Sequence, residues 1–267
     1  MNKIGVSFNL WKGEEFIPYA INQIKDYVDY IVVIYQTESN YKDLRNDLSS
    51  TLNKWVETNL IDEWVDYKPD FDCSENYWGI HNELKKRNIG LQKCLDNGCN
   101  YLLDSDSDEI YNKVEFKNCI EEVITGGYDS SFCKMITYYK YPDCKLSPIE
   151  NYYVPFIYKI NYESEFKPIH NIDFPVLVDG KRRIKSKVPL VFSEQEILMH
   201  HYSYVRLNEN EMLDKFNNAS SRLNFSNQRI SDILNSWNNF EIGGKALIGK
   251  DQEFSTKKTD NLFNIKL

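Results

Sequence analysis

Apolar positions along the first half of the chain change period in a regular order. Residues 3–11 are β-rich, and residues 13–27 carry apolar side chains at helical spacing. Residues 30–35 form a continuous apolar run between Asp29 and a polar stretch that begins at Thr37, as expected of a parallel strand buried on both faces. The helical period returns over 41–59, residues 60–66 suit a third strand, and residues 82–97 read as a helix ended by Gly98. Residues 101–103 make a short fourth strand. Strand and helix alternating with brief connections predict a parallel α/β sheet with right-handed crossovers.

The pattern loosens in the second half. Residues 115–125 predict a helix stopped by Gly126 and Gly127, and residues 130–141 alternate like a strand. Six prolines between Pro142 and Pro189 then favour extended segments and ordered loops over helices in a tyrosine-rich region. A strand-like run covers 198–206, and helices are expected over 208–221 and over 226–238, the latter with Ser226 as N-cap. Gly243, Gly244 and the polar residues 250–260 suggest a looser end.

The fourth strand runs into Asp104, Asp106, Asp108 and Glu109, at the carboxyl end where α/β folds place ligands. Such density of like charge is tolerated when solvated or when a hard cation neutralises it. Three readings follow. The first is a solvated turn before the next helix. The second is a calcium loop, since Asp104, Asp106, Asp108 and Glu115 fall at the first, third, fifth and twelfth positions of an EF-hand. Against it, Glu109 stands where the loop needs glycine, and a strand leads in. The third is an Asp-x-Asp motif that holds a divalent cation against a nucleotide diphosphate.

Composition narrows the frame. With 267 residues, 42% of them hydrophobic, the chain can bury a full core as one or two domains. The apolar runs are too short to span a bilayer and the N-terminus lacks a signal-peptide cleavage pattern, so a cytoplasmic location is expected. Six cysteines without a Cys-x-x-Cys pair point to reduced, mostly buried thiols. A net charge of −8 argues against general nucleic-acid binding. One local exception is residues 180–187, with five basic side chains in eight positions. They read as a solvated loop, as a segment closing over a diphosphate, or as one meeting a phosphorylated acceptor.

Lys86, Arg87 and Asn88, followed by a glycine-ended helix, a short strand and Asp106-x-Asp108-Glu109, resemble the donor half of a GT-A glycosyltransferase of the family 2-like group. The resemblance covers roughly the first half of the chain. It implies a GT-A, Rossmann-like α/β fold, a mixed and mostly parallel sheet flanked by helices. Residues 1–205 would form the nucleotide-sugar-binding and catalytic domain and 206–267 a C-terminal helical acceptor or lid portion. It further implies transfer of a sugar from a nucleotide diphosphate, a UDP-sugar first, to a glycan, a lipid-linked or another acceptor. Mn2+ or Mg2+ would sit on Asp106 and catalytic Asp108, with Asp104 one pleat back on the same face, touching ribose or the metal shell. Asn9, Gln36, Thr37 and Glu38 become nucleoside candidates, Arg87 and Asn88 donor contacts. The run from Leu198 to Arg206 looks like the late element that completes the metal shell, His201 preferred over His200, with Arg206 a diphosphate candidate. Glu150 and Asp173 are candidates for the base an inverting reaction needs; inversion and retention both remain open. Tyr138, Tyr139, Tyr141, Tyr152 and Tyr153 would pack in the core or stack on sugar rings. A homo-oligomer is left open. The competing functions are a nucleotidyltransferase, for which no glycine-rich phosphate loop is seen near the N-terminus, and a non-enzymatic calcium-binding module.

Overall fold

Strand β1 (Ile4–Leu10) is buried at every position, which requires cover on both faces and a neighbour on each edge. Helix α1 (Ile17–Ile24), entered and left through single 3-10 turns, covers one face with Ile17, Ala20, Ile21 and Ile24. Strand β2 (Tyr30–Tyr35) is equally buried and pairs with β1 in parallel. The computed structural model describes residues 2–168, 174–219, 222 and 225–267.

Where a helix is expected over 41–59, the helix α2 spans only Ser49–Glu57. Ser39 Oγ accepts from the backbone N–H of Tyr41 and of Asp43, both at 3.0 Å, and Lys42 adopts a φ of 72°. Local side-chain bonding of this kind competes with helix formation. Strand β3 (Glu63–Asp66) pairs with β2, again in parallel.

Helix α3 (Trp78–Asp96) starts a turn earlier than its periodicity suggests, and Gly98 follows it with a φ of 75°. It crosses the sheet so closely that a Cβ at Gly90 would overlap Ser7 of β1. Strand β4 (Tyr101–Asp106) then pairs in parallel with β1, putting Asn9 in register with Asp106. Strand β5 (Glu109–Tyr111) and helix α4 (Lys113–Thr125), capped by Asn112, follow the parallel strands.

From here the sheet is built mostly antiparallel. Strands β6 (Ser130–Tyr139), β7 (Cys144–Ser147) and β8 (Tyr153–Lys159) extend it, and β8 joins β4 to β6. Strand β9 (Pro189–Val191) adds to β6. Strand β10 (Leu198–Tyr204) lies between β5 and β6, placing His201 opposite Glu109 on one side and Thr137 on the other. Helices α5 (Glu209–Asn218) and α6 (Asn227–Asn238) begin at the side-chain caps Asn208 and Ser226. The expected looser end is instead a hairpin of β11 (Lys245–Ile248) and β12 (Gln252–Lys258), which pairs with β7. The segment 206–267 is therefore strand as well as helix. Its own cluster, with Met212, Phe216, Ile233 and Trp237, packs on Tyr139 and Cys144.

The chain thus forms the expected α/β fold, with one mixed sheet of 12 strands among the described residues, flanked by helices. Among the described residues no helix is long and apolar enough to cross a membrane. The six cysteines are free thiols, five of them buried.

Close packing of α3 on β1 makes Gly90→Ala costly, by about 1–3 kcal/mol as expected of overpacking. Denaturant unfolding of Gly90→Ala in the wild-type and Ser7→Gly backgrounds checks this. An unchanged cost once Ser7 is trimmed would show that the contact does not set it.

Candidate active site

The acidic run is not a solvated turn. Asp104, Asp108 and Glu109 are buried, while the Asp106 side chain is 37% exposed. Each carboxylate meets an arginine drawn from a different part of the chain. Arg87, on α3, ion-pairs with Asp104 and donates from Nη2 to Asp106 at 2.9 Å. Arg182 donates to both Glu109 oxygens, at 2.5 and 2.9 Å, and to the Asp104 carbonyl at 2.7 Å. Arg206 donates to Asp108 Oδ2 at 2.7 Å. Paired and bonded this way, buried carboxylates can stay charged.

The shifts in acidity follow from the balance of burial and pairing. Burial, the largest single influence on Asp106 and Asp108, raises both, yet Arg87, Arg182 and Lys86 together outweigh it at Asp106, and His201, Arg206 and Lys215 together at Asp108. Both carboxyls are therefore held below the usual carboxylate range. At Asp104 burial prevails over Arg87 and Arg182, and its pKa is raised.

Asn9, Trp11, Arg87, Asp106, Asp108, His201 and Arg206 line a cavity of about 270 Å³ at the carboxyl ends of β1 and β4. Asp104 lies beneath, accepting from Asn9 Nδ2 at 3.0 Å. Strand alternation separates the two histidines as required. His201 Nε2 is 3.6 Å from Asp108 Oδ1, whereas His200 is buried against Phe263 and bonded through Nδ1 to the Tyr138 hydroxyl at 2.9 Å. Burial pushes the His200 pKa down to about 4.

Other candidates lie elsewhere. Asn88 spends its amide on the backbone of Phe166, donating at 2.9 Å and accepting at 2.8 Å. Gln36, at the end of β2, donates to the Glu38 carbonyl at 2.9 Å, and Thr37 accepts from Lys68 at 3.4 Å; neither they nor Glu38 line the cavity. Glu150 accepts from Thr137 Oγ1 and lines a neighbouring groove of about 1070 Å³, to which Tyr152 also belongs. Tyr138 and Tyr139 are core residues. Asp173 lies outside the described residues.

Sequence reasoning missed several side chains here. Arg182 belongs to the basic run, but it and Arg183 are buried, so this part of the run is an anchored wall and not a solvated loop. Glu83, one turn before Arg87 on α3, was not singled out; it lines the cavity and pairs at 3.2 Å with Lys86, the first residue of the Lys86–Asn88 motif, which lines it too. Lys215 and Ser203 line both cavity and groove; Ser203 lies within the run from Leu198 to Arg206, whereas no local motif marks Lys215.

Asp106, Asp108 and His201 offer two carboxylates and an imidazole, a donor set suited to Mn2+. They face one cavity without converging: among the described residues no three His, Cys, Asp or Glu side chains are grouped to hold an ion unaided. The calcium loop is not built. Residues 101–106 are strand, and Glu115 accepts from the Leu198 N–H at 3.4 Å.

No family model matches the chain, and no curated protein does. Among solved structures it is similar to residues 1–349 of S. aureus TarS, at a TM-score of 0.48 and 13% identity over 89% of this chain and 71% of that one. The same protein in complex with UDP gives a TM-score of 0.46 at 14% identity, over 90% and 72%. In complex with UDP-GlcNAc it gives 0.45 at 15%, over 89% and 72%.

Two outcomes follow from these interactions. Arg182→Met should cost about 3–5 kcal/mol in denaturant unfolding by stranding buried Glu109. Adding Glu109→Gln should restore part of that, and strictly additive costs would dismiss the pairing. For His200, the ordinary pKa of 6.5 falls to about 4 in the fold, so below pH 6.5 the unfolded chain takes up a proton that the folded chain refuses. Stability should decline from about pH 6.5 toward pH 4, by roughly 3 kcal/mol from this group. Melting curves of His200→Gln should show a flatter decline; identical slopes would remove His200 as the cause.

Proposed function

We propose that the chain is a metal-dependent glycosyltransferase of the GT-A, family 2-like kind, taking its sugar from a nucleotide diphosphate, with UDP the first choice. The observation that carries this reading is the meeting of Asp106, Asp108, His201, Arg87 and Arg206 on one cavity at the carboxyl ends of parallel strands. Asp106, Asp108 and His201 would hold Mn2+ or Mg2+, which when bound supplies Lewis-acid neutralisation of the diphosphate. Asn9, held from beneath by Asp104, would meet the nucleoside, and Arg206 the phosphates.

The larger groove, continuous with the cavity through His201, Ser203, Lys215 and Ala219, is read as the acceptor site. Glu150 takes the proton of an acceptor hydroxyl as its oxygen bonds to the anomeric carbon. The bond from that carbon to the phosphate oxygen breaks, and the nucleoside diphosphate leaves. The product would have inverted configuration.

Thermal melting with Mn2+ and a panel of nucleotides tests the donor. UDP with Mn2+ near 100 times its Kd should add about 2.7 kcal/mol of stability, and Asp108→Ala should remove that gain while leaving the ligand-free chain folded. Stabilisation by Ca2+ alone, with no nucleotide responding, would sink the transferase reading. Glu150→Gln should lower transfer by about 100-fold or more with UDP affinity intact. A retained anomeric configuration in the product would reject Glu150 as base.

A further inference from the structure

Lys215 stands where the cavity and the groove join. It projects from α5 into the wall common to both, its side chain partly buried. Its ammonium donates to Ser203 Oγ and lies 5.0 Å from the centre of the Tyr204 ring. No carboxylate is bonded to it among the described residues. An ammonium has three donors, and among the described residues only one of them finds an oxygen.

The surrounding charges sharpen the anomaly. Arg206, which also faces the cavity, has the same sign. The two carboxylates whose charge acts on it are committed elsewhere, Asp108 to Arg206 and Asp106 to Arg87. A partly buried cation beside another cation, with donors left over, is unfavourable unless an anion completes the site. A purely structural lysine would instead be expected in a carboxylate pair or snorkelled into solvent. The opening beside Lys215 and Arg206 is the cavity itself, and these two cations are suited to the oxygens of a phosphate group.

We propose that Lys215 binds a phosphate of the nucleoside diphosphate at the junction of cavity and groove, together with Arg206. This rests on the donor reading above. Lys215 thereby holds the leaving phosphate and offsets the charge that develops on it as the sugar departs. Its place on a helix rooted in the C-terminal cluster by Met212 and Phe216 makes that cluster part of donor recognition.

Isothermal titration of the full chain with UDP, uridine and inorganic pyrophosphate tests the assignment, with and without Mn2+. Lys215→Met keeps the length and apolar stem and removes the charge; Lys215→Arg keeps the charge. Lys215→Met should weaken UDP and pyrophosphate by about tenfold or more, leave uridine within about twofold, and be largely rescued by Lys215→Arg. Near-ultraviolet circular dichroism and melting identify folded variants, and Lys215→Gln replaces Lys215→Met should the latter not fold. If the wild type binds UDP and the folded neutral variant binds it equally well, the lysine assignment is overturned while the donor reading stands. Loss of uridine and UDP in equal measure would mark Lys215 as structural and overturn it too. A wild type that binds neither UDP nor pyrophosphate overturns both readings.

Discussion

Buried negative charge is the constraint around which the molecule is arranged. Asp104, Asp108 and Glu109 sit below the surface within six residues of one another, and desolvating carboxylates is expensive unless cations and hydrogen bonds replace the lost water. The compensating groups come from far apart. Arg87 lies 17 residues from Asp104, Arg182 lies 73 from Glu109, and Arg206 lies 98 from Asp108. Satisfying the acid strand therefore fixes the azimuth of α3, docks the segment after β8 and holds the chain leaving β10. Arg87 and Arg206, two of these three arginines, also line the cavity with Asp106 and Asp108.

The first half of the fold was legible because its elements are decided locally. A strand buried on both faces has few polar positions, as in residues 30–35, and the helices between such strands carry a single apolar stripe. Residues 37–48 resisted because Ser39 ties its own neighbours into turns, an effect that apolar spacing does not register. The hairpin of β11 and β12 resisted for a different reason. Only Thr256 of the seven β12 positions is buried, so its polar sequence resembles a loop until β7 supplies the pairing partner.

Site residues divide along the same line. The carboxylates announce themselves by crowding, and Arg87 by its place one helix earlier. Arg182 and Lys215 depend on contacts made only after the chain has folded back. A charged run such as 180–187 gives no sign of which side chain turns inward. Asn88 shows the converse: its position beside Arg87 suggested a ligand contact, yet one helical residue further round points to Phe166.

Strand β10 shows how the core holds the site face. Alternation puts His200 and Tyr202 on one side and His201 with Ser203 on the other. The inner pair is clamped by Tyr138, whose ring stacks on Tyr202 with centroids 4.4 Å apart and 11° between planes, and whose hydroxyl meets His200. Phe16, carried by the turn ahead of α1, stacks on the other face of the cluster at 5.6 Å from Tyr202. A strand fixed along its buried edge cannot slide by one residue without exchanging these rings for His201 and Ser203, which would expose the aromatics and bury an imidazole and a hydroxyl. The aromatic stack thus sets the register in which His201 faces Asp108 and Ser203 receives Lys215. Cavity and groove share a wall because one strand, locked from behind, presents both residues to them.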